Sequence, residues 1–522
     1  MTGGGLAELG AWVADQRYAT IPEGARRAAR VQLANMVAAA YASTRDAGVT
    51  PILAGLAAGD GPSTVLATGR RTSPADAAFV NAAYSMAQDF DDIIWMGHTC
   101  HSAIFAALAV AEAERTDGEA LITAIVVANE VAGRLGASCF FGPLNGQMWT
   151  FVHLIGAAAA TASLLRLDAE QTANALAIAL AQPPFALQPG FFTPTSKYLA
   201  ASIPTQIGVQ AGYLARAGMT GAHDLLEHPR GFWARFAFLP LPAMLDGLGT
   251  LWLIETLTIK TVPACHYFQT ACEALDELRR RHPLHAPDEV RAITAFTTKL
   301  GSEVTRFARD GAALHLTPVG AAFDLGLTLA IALHAGGHSG EHADTRWLES
   351  HRAALEAWYR KIRVVHDPLL TTRVLDSARS LAAGRAALAA LTPRRVLALV
   401  RDYRATYRSN LFGVRELRGW IDALRSRRRA PRPAAPTGGG ALPLYFPNRI
   451  EIAFADGTRD AVQVDLPAGS MAAPTLDAAL RTKFLTEVSP VLGAARTEAA
   501  LAAALSADRI PIVELIAALR AT

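Results

Sequence analysis

Between residues 89 and 101 the chain reads Asp89-Phe90-Asp91-Asp92, then His98-Thr99-Cys100-His101, with Ser102 following. Three carboxylates and two imidazoles thus crowd into one short stretch flanked by apolar sequence. Such a set can move protons: an imidazole titrates near neutrality, and an adjacent carboxylate raises its basicity. Were residues 85–95 helical and ended by Gly97, Asp89 and Asp92 would share a face while Asp91 pointed elsewhere. Ser102 would then cap a helix starting near Ala103, placing His101 at its positive end. Free N–H groups there attract a substrate carboxylate, and their field opposes the rise in imidazole pKa that a nearby aspartate brings. Residue types alone leave two other readings open. Asp/His clusters also cap helices and build structural hydrogen-bond networks. His98-x-x-His101 with Asp89 or Asp91 also supplies metal-ligand types, although no independent ligands follow downstream.

The elements that must position these groups are mostly helical. From residue 6 to about 262 the chain is rich in Ala and Leu, and residues 24–45, 102–117, 119–135, 155–166, 168–182 and 197–217 carry helix-forming composition. Breaks fall at Gly142-Pro143, Pro183-Pro184 and Pro189-Gly190. The texture changes after Lys260. Residues 289–298 are rich in β-branched and aromatic types, and Ile450, Ile452 and Phe454 alternate with Glu451 and Ala453. Asp456-Gly457 then offers a hairpin turn before Val462, Val464 and Leu466. The expected fold is mainly α: a large helical domain over residues 1–262, a smaller α/β lid over 263–465, and helices over 466–522 that rejoin the first domain. Residues 425–447, an Arg cluster followed by Pro and Gly, read as a flexible solvated insertion within the lid.

Composition excludes several classes. The 522 residues are 51% hydrophobic, enough for a sizeable core, and the net charge of +3 argues against a general nucleic-acid binder. Four scattered cysteines do not make a disulfide framework. The start of the chain shows no basic, apolar signal pattern, and apolar stretches such as 102–113 and 151–165 are short for a membrane span. The expectation is a soluble cytoplasmic protein with neither membrane nor nucleic acid as partner. Dinucleotide, P-loop, serine-hydrolase and zincin motifs are missing from the sequence, and His338 and His342 sit in a polar Gly-rich loop.

In order and spacing the sequence resembles the MmgE/PrpD family, whose members dehydrate or decarboxylate small polycarboxylates such as 2-methylcitrate and cis-aconitate. The resemblance runs through Ala77-Ala78-Phe79-Val80-Asn81, Asp89-Phe90-Asp91-Asp92, His101-Ser102 and Gly156-Ala157-Ala158-Ala159-Ala160. It continues through Leu165-Arg166-Leu167-Asp168, Gln171, Thr195-Ser196-Lys197, Gly218-Met219-Thr220-Gly221 and Lys260-Thr261-Val262-Pro263-Ala264-Cys265. Asp456-Gly457 and Lys483-Phe484 also fit. It implies a homodimer with its active site between helical body and lid, and chemistry that needs no metal, flavin or nucleotide. Asp89, His101, Lys197 and Lys260 match family active-site positions. Their implied roles are carboxylate binding by the lysines, proton transfer by His101, and orientation of His101 by Asp89.

Four positions depart from that pattern. Ile93 replaces a threonine, with two residues inserted before His98, and Gln147 stands at a histidine position. The histidine expected after Lys260 is Cys265 or His266, and a tyrosine position holds Leu327. His98, Gln147, His153 and His266 are therefore the candidates for substrate binding. These changes remove polar donors, so the expected substrate is a carboxylic acid less polar than citrate or aconitate, with Trp95, Met96, Trp149, Phe191 and Phe192 as candidate lining. The alternatives are an isomerase, epimerase or cyclase using the same proton-abstracting site, and a non-catalytic binding relative.

Overall fold

The computed structural model describes residues 4–55, 59–95, 97–143, 149–192, 194–309, 314–380, 389, 391–407 and 442–521. The Ala-rich first half folds into helices packed on several sides. The longest, in order, are α1 (Glu23–Ala42), α2 (Pro74–Ala87), α3 (Cys100–Glu114), α4 (Gly118–Ser138), α5 (Thr150–Leu164), α6 (Ala169–Leu180) and α7 (Leu199–Arg216). Small residues let their backbones approach: a Cβ on Gly208 of α7 would lie 2.4 Å from the Leu154 carbonyl of α5. Local sequence sets several starts. Asp168 and Gln171 cap α6 reciprocally, and Asp117 accepts the Ala120 N–H at the head of α4. By length and composition α4 could cross a membrane, but 94% of its apolar window is buried within the fold, as in a core helix.

The strand-rich texture forms a four-stranded mixed sheet. Its strands are β3 (Val290–Thr297), β4 (Ile362–His366), β5 (Asn448–Phe454) and β6 (Arg459–Val464), ordered β4-β3-β5-β6. The β3–β4 pair is parallel and the other two pairs are antiparallel. Gly457, at φ +94°, makes the expected turn between β5 and β6. Helix α8 (Gln269–Arg281) packs on β5 and β6. Of the expected insertion, residues 425–441 lie outside the described residues.

Two short strands join distant parts of the chain. β1 (Asp92–Ile93) pairs antiparallel with β2 (Thr258–Ile259), and the Ile259 N–H donates to the Gly469 carbonyl at 2.9 Å. The C-terminal helices α9 (Leu476–Leu492) and α10 (Ala494–Leu505) pack on α1, while α11 (Ile512–Leu519) packs on α3. One contiguous apolar cluster includes Val37 of α1, Ile293, Ile450 and Ile452 of the sheet, and Phe484 of α9.

The 85–95 segment differs from its expected helix. Helix α2 stops at Ala87, and Asp89 adopts the left-handed region at φ +55°. Aspartate tolerates that conformation because its short side chain can bond locally. The turn sends Asp91 and Asp92 into an extended path, so helical face-sharing does not apply. Helix α3 begins at Cys100 rather than near Ala103, and Ser102 donates to the Thr99 carbonyl instead of capping. His101 still lies in the first turn.

Candidate active site

The left-handed turn at Asp89 and the β1–β2 pairing assemble a buried charge network. Because Asp92 stands opposite Ile259, Lys260 comes beside Asp91, and its backbone N–H donates to the Asp91 carbonyl at 3.1 Å. The Lys260 ammonium ion-pairs with Asp89 Oδ2 at 2.6 Å and with Asp91 Oδ1, and donates to the Asp89 carbonyl at 2.7 Å. Lys197, on a single helical turn just before α7, reaches the other oxygen, Asp89 Oδ1, at 2.7 Å and the Met86 carbonyl at 3.1 Å. One carboxylate thus bridges two buried ammonium groups. Phe191 and Phe323 present their rings to Lys197, with centroids 5.6 and 5.1 Å from Nζ.

The imidazoles gather on the second carboxylate. Asp91 Oδ2 accepts from His98 Nδ1 at 2.8 Å and from His101 Nε2 at 3.1 Å. The Asp92 carbonyl lies 2.8 Å from the same His98 nitrogen, which fixes the proton there. The Ser85 oxygen lies 2.7 Å from His101 Nδ1, and its hydroxyl donates to the Ala82 carbonyl at 2.8 Å. Both nitrogens of His101 are therefore engaged, and its ring is fully buried, whereas His98 keeps 7% exposure. His153 packs edge-on against His101 with centroids 5.5 Å apart, and neither of its nitrogens has a partner among the described residues. His266 likewise has both nitrogens unpartnered there and packs edge-on to Phe446.

Electrostatics follow from this packing. Burial alone would raise the Asp89 carboxyl, but Lys197 and Lys260 outweigh it and hold it below the ordinary carboxylate range. Burial is likewise overcome at Asp91, by Lys260 and His98, which keep it well below that range. Asp92 faces the other way, accepting from Gln32 and Asn35, and burial pushes it up to about 6. Burial lowers His101, with Asp91 opposing, and drives His153 and His266 well below the usual histidine value.

Of the residues singled out in the sequence, Asp89, His98, His101, Lys197 and Lys260 form one connected network. His153 abuts it, and the charges of Lys260 and His98 act on His266. Gln147 and Met96 lie outside the described residues. Two expectations change. The carboxylate in contact with His101 is Asp91, not Asp89, because the turn at Asp89 aims that side chain at the lysines. Trp149 stacks on Phe151 in a separate apolar cluster, 5.7 Å between centroids. Phe192 packs against Phe307 and Phe323.

Asp91 escaped the sequence reading as the histidines' partner, since a triplet of aspartates does not say which one faces which way. Lys483 escaped it too. From α9 its ammonium donates to Asn35 Oδ1 at 2.6 Å, to the Lys260 carbonyl at 3.1 Å and to the Phe90 carbonyl. Its only sequence signal is the Lys-Phe pair.

Donor atoms of Asp91, Cys100 and His101 lie within 4.8 Å of one another. Both Asp91 oxygens already serve Lys260, His98 and His101, and burial holds the Cys100 thiol well above its usual value. A cation there would have to displace the Lys260 ammonium, so this donor set fits a hydrogen-bond network better than a metal centre.

The MmgE/PrpD N-terminal domain model matches residues 7–239, and the MmgE/PrpD C-terminal domain model matches residues 262–402. A cis-aconitate decarboxylase from Aspergillus terreus (strain NIH 2624 / FGSC A1156) is 27% identical over 246 residues, covering 43% of this chain and 49% of the relative. The cis-aconitate decarboxylase-like protein oryM from Aspergillus oryzae (strain ATCC 42149 / RIB 40) is 26% identical over 277 residues, covering 48% of this chain and 56% of the relative. The chain thus spans about half the length of the curated relatives it matches. With both family domains in order on one chain, this protein belongs to the MmgE/PrpD family.

Proposed function

We propose that this protein is a cofactor-independent acid/base lyase that dehydrates or decarboxylates a carboxylic acid less polar than citrate or aconitate. The observation that carries the reading is the pair of linked carboxylates. Asp89 gathers two ammonium groups and Asp91 gathers two imidazoles, with Lys260 on both. In dehydration, an imidazole takes the proton α to the substrate carboxylate, the electron pair forms the double bond, and hydroxide leaves with a proton from the site. In decarboxylation, the C–C electron pair stays on carbon as carbon dioxide departs, and an imidazolium protonates it. Lys197 and Lys260 stabilise the negative charge that develops. Asp91 orients both imidazoles and opposes the lowering of His101 by burial, with His101 as the proton-transfer group and His98 presenting the less buried ring. His153 and His266, whose nitrogens have no partner among the described residues, offer them to substrate oxygens.

The lower polarity of the substrate rests on Ile93 and Leu327, aliphatic side chains at positions where the family pattern carries a threonine and a tyrosine. The rest of the proposal is a homodimer working in the cytoplasm. It includes a division into a helical body to residue 262, a sheet-bearing lid over 263–465 and returning helices, with the site between body and lid.

The test is a mass-spectrometric product screen on cis-aconitate, 2-methylcitrate and a panel of mono- and dicarboxylic acids. Loss of the mass of water or carbon dioxide from one of the less polar acids, abolished by His101→Ala with the fold intact, supports the proposal. Product without a mass change points to an isomerase. No product and no ligand-induced rise in melting temperature overturns it, and ordinary turnover of cis-aconitate or 2-methylcitrate overturns the polarity argument.

A further inference from the structure

We propose that Lys483 is a positioning residue of this site: its ammonium fastens the backbone carrying Asp89 and Asp91 to the backbone carrying Lys260, making the C-terminal helix α9 an integral part of it. The inference rests on the acid/base reading above. Phe90 lies between the two aspartates, so holding its carbonyl restrains both. Lys260 supplies the counter-charge to both, and Lys483 holds its carbonyl at 3.1 Å. The third partner, Asn35 on α1, accepts at 2.6 Å, and its orientation is set because its Nδ2 donates to Asp92 Oδ2 at 2.9 Å. The ammonium also lies over the Phe90 ring, 3.8 Å from its centroid.

Geometry demands the charged form. An ammonium has three protons for three acceptors, whereas a neutral amine has two and would leave one carbonyl or amide oxygen unserved. Lys483 is buried, with 3% exposure, and its hydrogen bonds go to neutral oxygens rather than to a carboxylate. Burial therefore pushes it down to about 7. Asp91 and Asp92 from the β1 segment and Glu487 from its own helix act to raise it, and Lys260 acts to lower it. The hold should loosen as pH rises through neutrality, and the site with it.

Amide hydrogen exchange on the full chain, read by mass spectrometry and corrected for the intrinsic chemical rate, tests this without any ligand. In the wild type, peptides covering residues 86–95 and 256–264 are expected to exchange about fivefold or more faster at about pH 8.5 than at about pH 6, with α4 and α5 unchanged. Lys483→Met is expected to make them fast at both pH values and to abolish the step. Absence of the pH step in the wild type, or changes in Lys483→Met confined to residues 476–492, would overturn the proposal. If Lys483→Met does not fold, the wild-type step alone decides. Where the product screen finds turnover, Lys483→Met should lower kcat about tenfold or more while KM stays within about threefold, since a 1 Å misplacement can cost ~10²-fold. An unchanged kcat overturns the inference. A wild type without turnover overturns the functional reading instead and leaves the exchange experiment to judge the clamp.

Discussion

Replacing Asp89 with asparagine probes the heart of the network with little backbone confusion, because asparagine also tolerates the left-handed conformation held at φ +55°. The substitution removes one charge that serves two ammonium groups. Lys260 keeps Asp91, so the orphan is Lys197, left with the Met86 carbonyl and the faces of Phe191 and Phe323. Breaking a buried ion pair on one side costs about 3–5 kcal/mol, and Asp89→Asn should lose that much stability at neutral pH. Removing the orphan as well should restore most of it, since replacing both partners of a buried pair by neutral groups is often close to neutral. Asp89→Asn/Lys197→Met is expected within about 1–2 kcal/mol of the wild type. The pH dependence has a defined sign. Burial already holds Lys197 below its ordinary value, and losing Asp89 lowers it further. The unfolded chain then binds the extra proton up to the ordinary lysine pKa, so the deficit of Asp89→Asn should shrink as pH rises from neutral toward about 10. Denaturant midpoints with slopes monitored, across the four-member cycle and across pH, are the assay. A loss below about 1 kcal/mol, or additive effects of the two substitutions, would show that the two side chains are not paired in a buried site.

Two further predictions concern stability. His338 is buried with no partner for either nitrogen among the described residues, and burial lowers it to about 3. Above the ordinary value of 6.5 this residue adds no pH dependence; below it the unfolded chain takes up the proton first. Stability is therefore lost as pH falls, by about 2 kcal/mol at pH 5. His338→Leu should remove that component, narrowing its stability difference from wild type by the same amount between pH 7 and 5; parallel curves would refute it. Gly118, at the head of α4, leaves no room for a side chain, because a Cβ would lie 1.9 Å from the Ala507 carbonyl. Gly118→Ala should cost about 1–3 kcal/mol and speed proteolysis between α10 and α11, and an unchanged melting temperature would refute the contact.

Much of the architecture is local and therefore legible. Ala/Leu runs make helices, Asp168 with Gln171 caps α6, and Asp456-Gly457 between alternating residues turns the β5–β6 hairpin. The start of α3 was not legible, because Thr99 makes no side-chain cap to mark it. Nor was the end of α2, where one left-handed residue replaces a conventional stop signal.

The sequence by itself determined the inventory of the site: which carboxylates, imidazoles and ammonium groups are available, and the family pattern that ties them to proton chemistry. Tertiary structure decided who meets whom. Asp89 rather than Asp91 bridges the two lysines, and Asp91 rather than Asp89 holds the histidines, because a backbone turn and a two-residue strand pair between distant parts of the chain set their directions. Lys483 reaches the Phe90 carbonyl from 393 residues away. Contacts of that range are products of chain closure and core packing, for which one stretch of sequence carries no local signature.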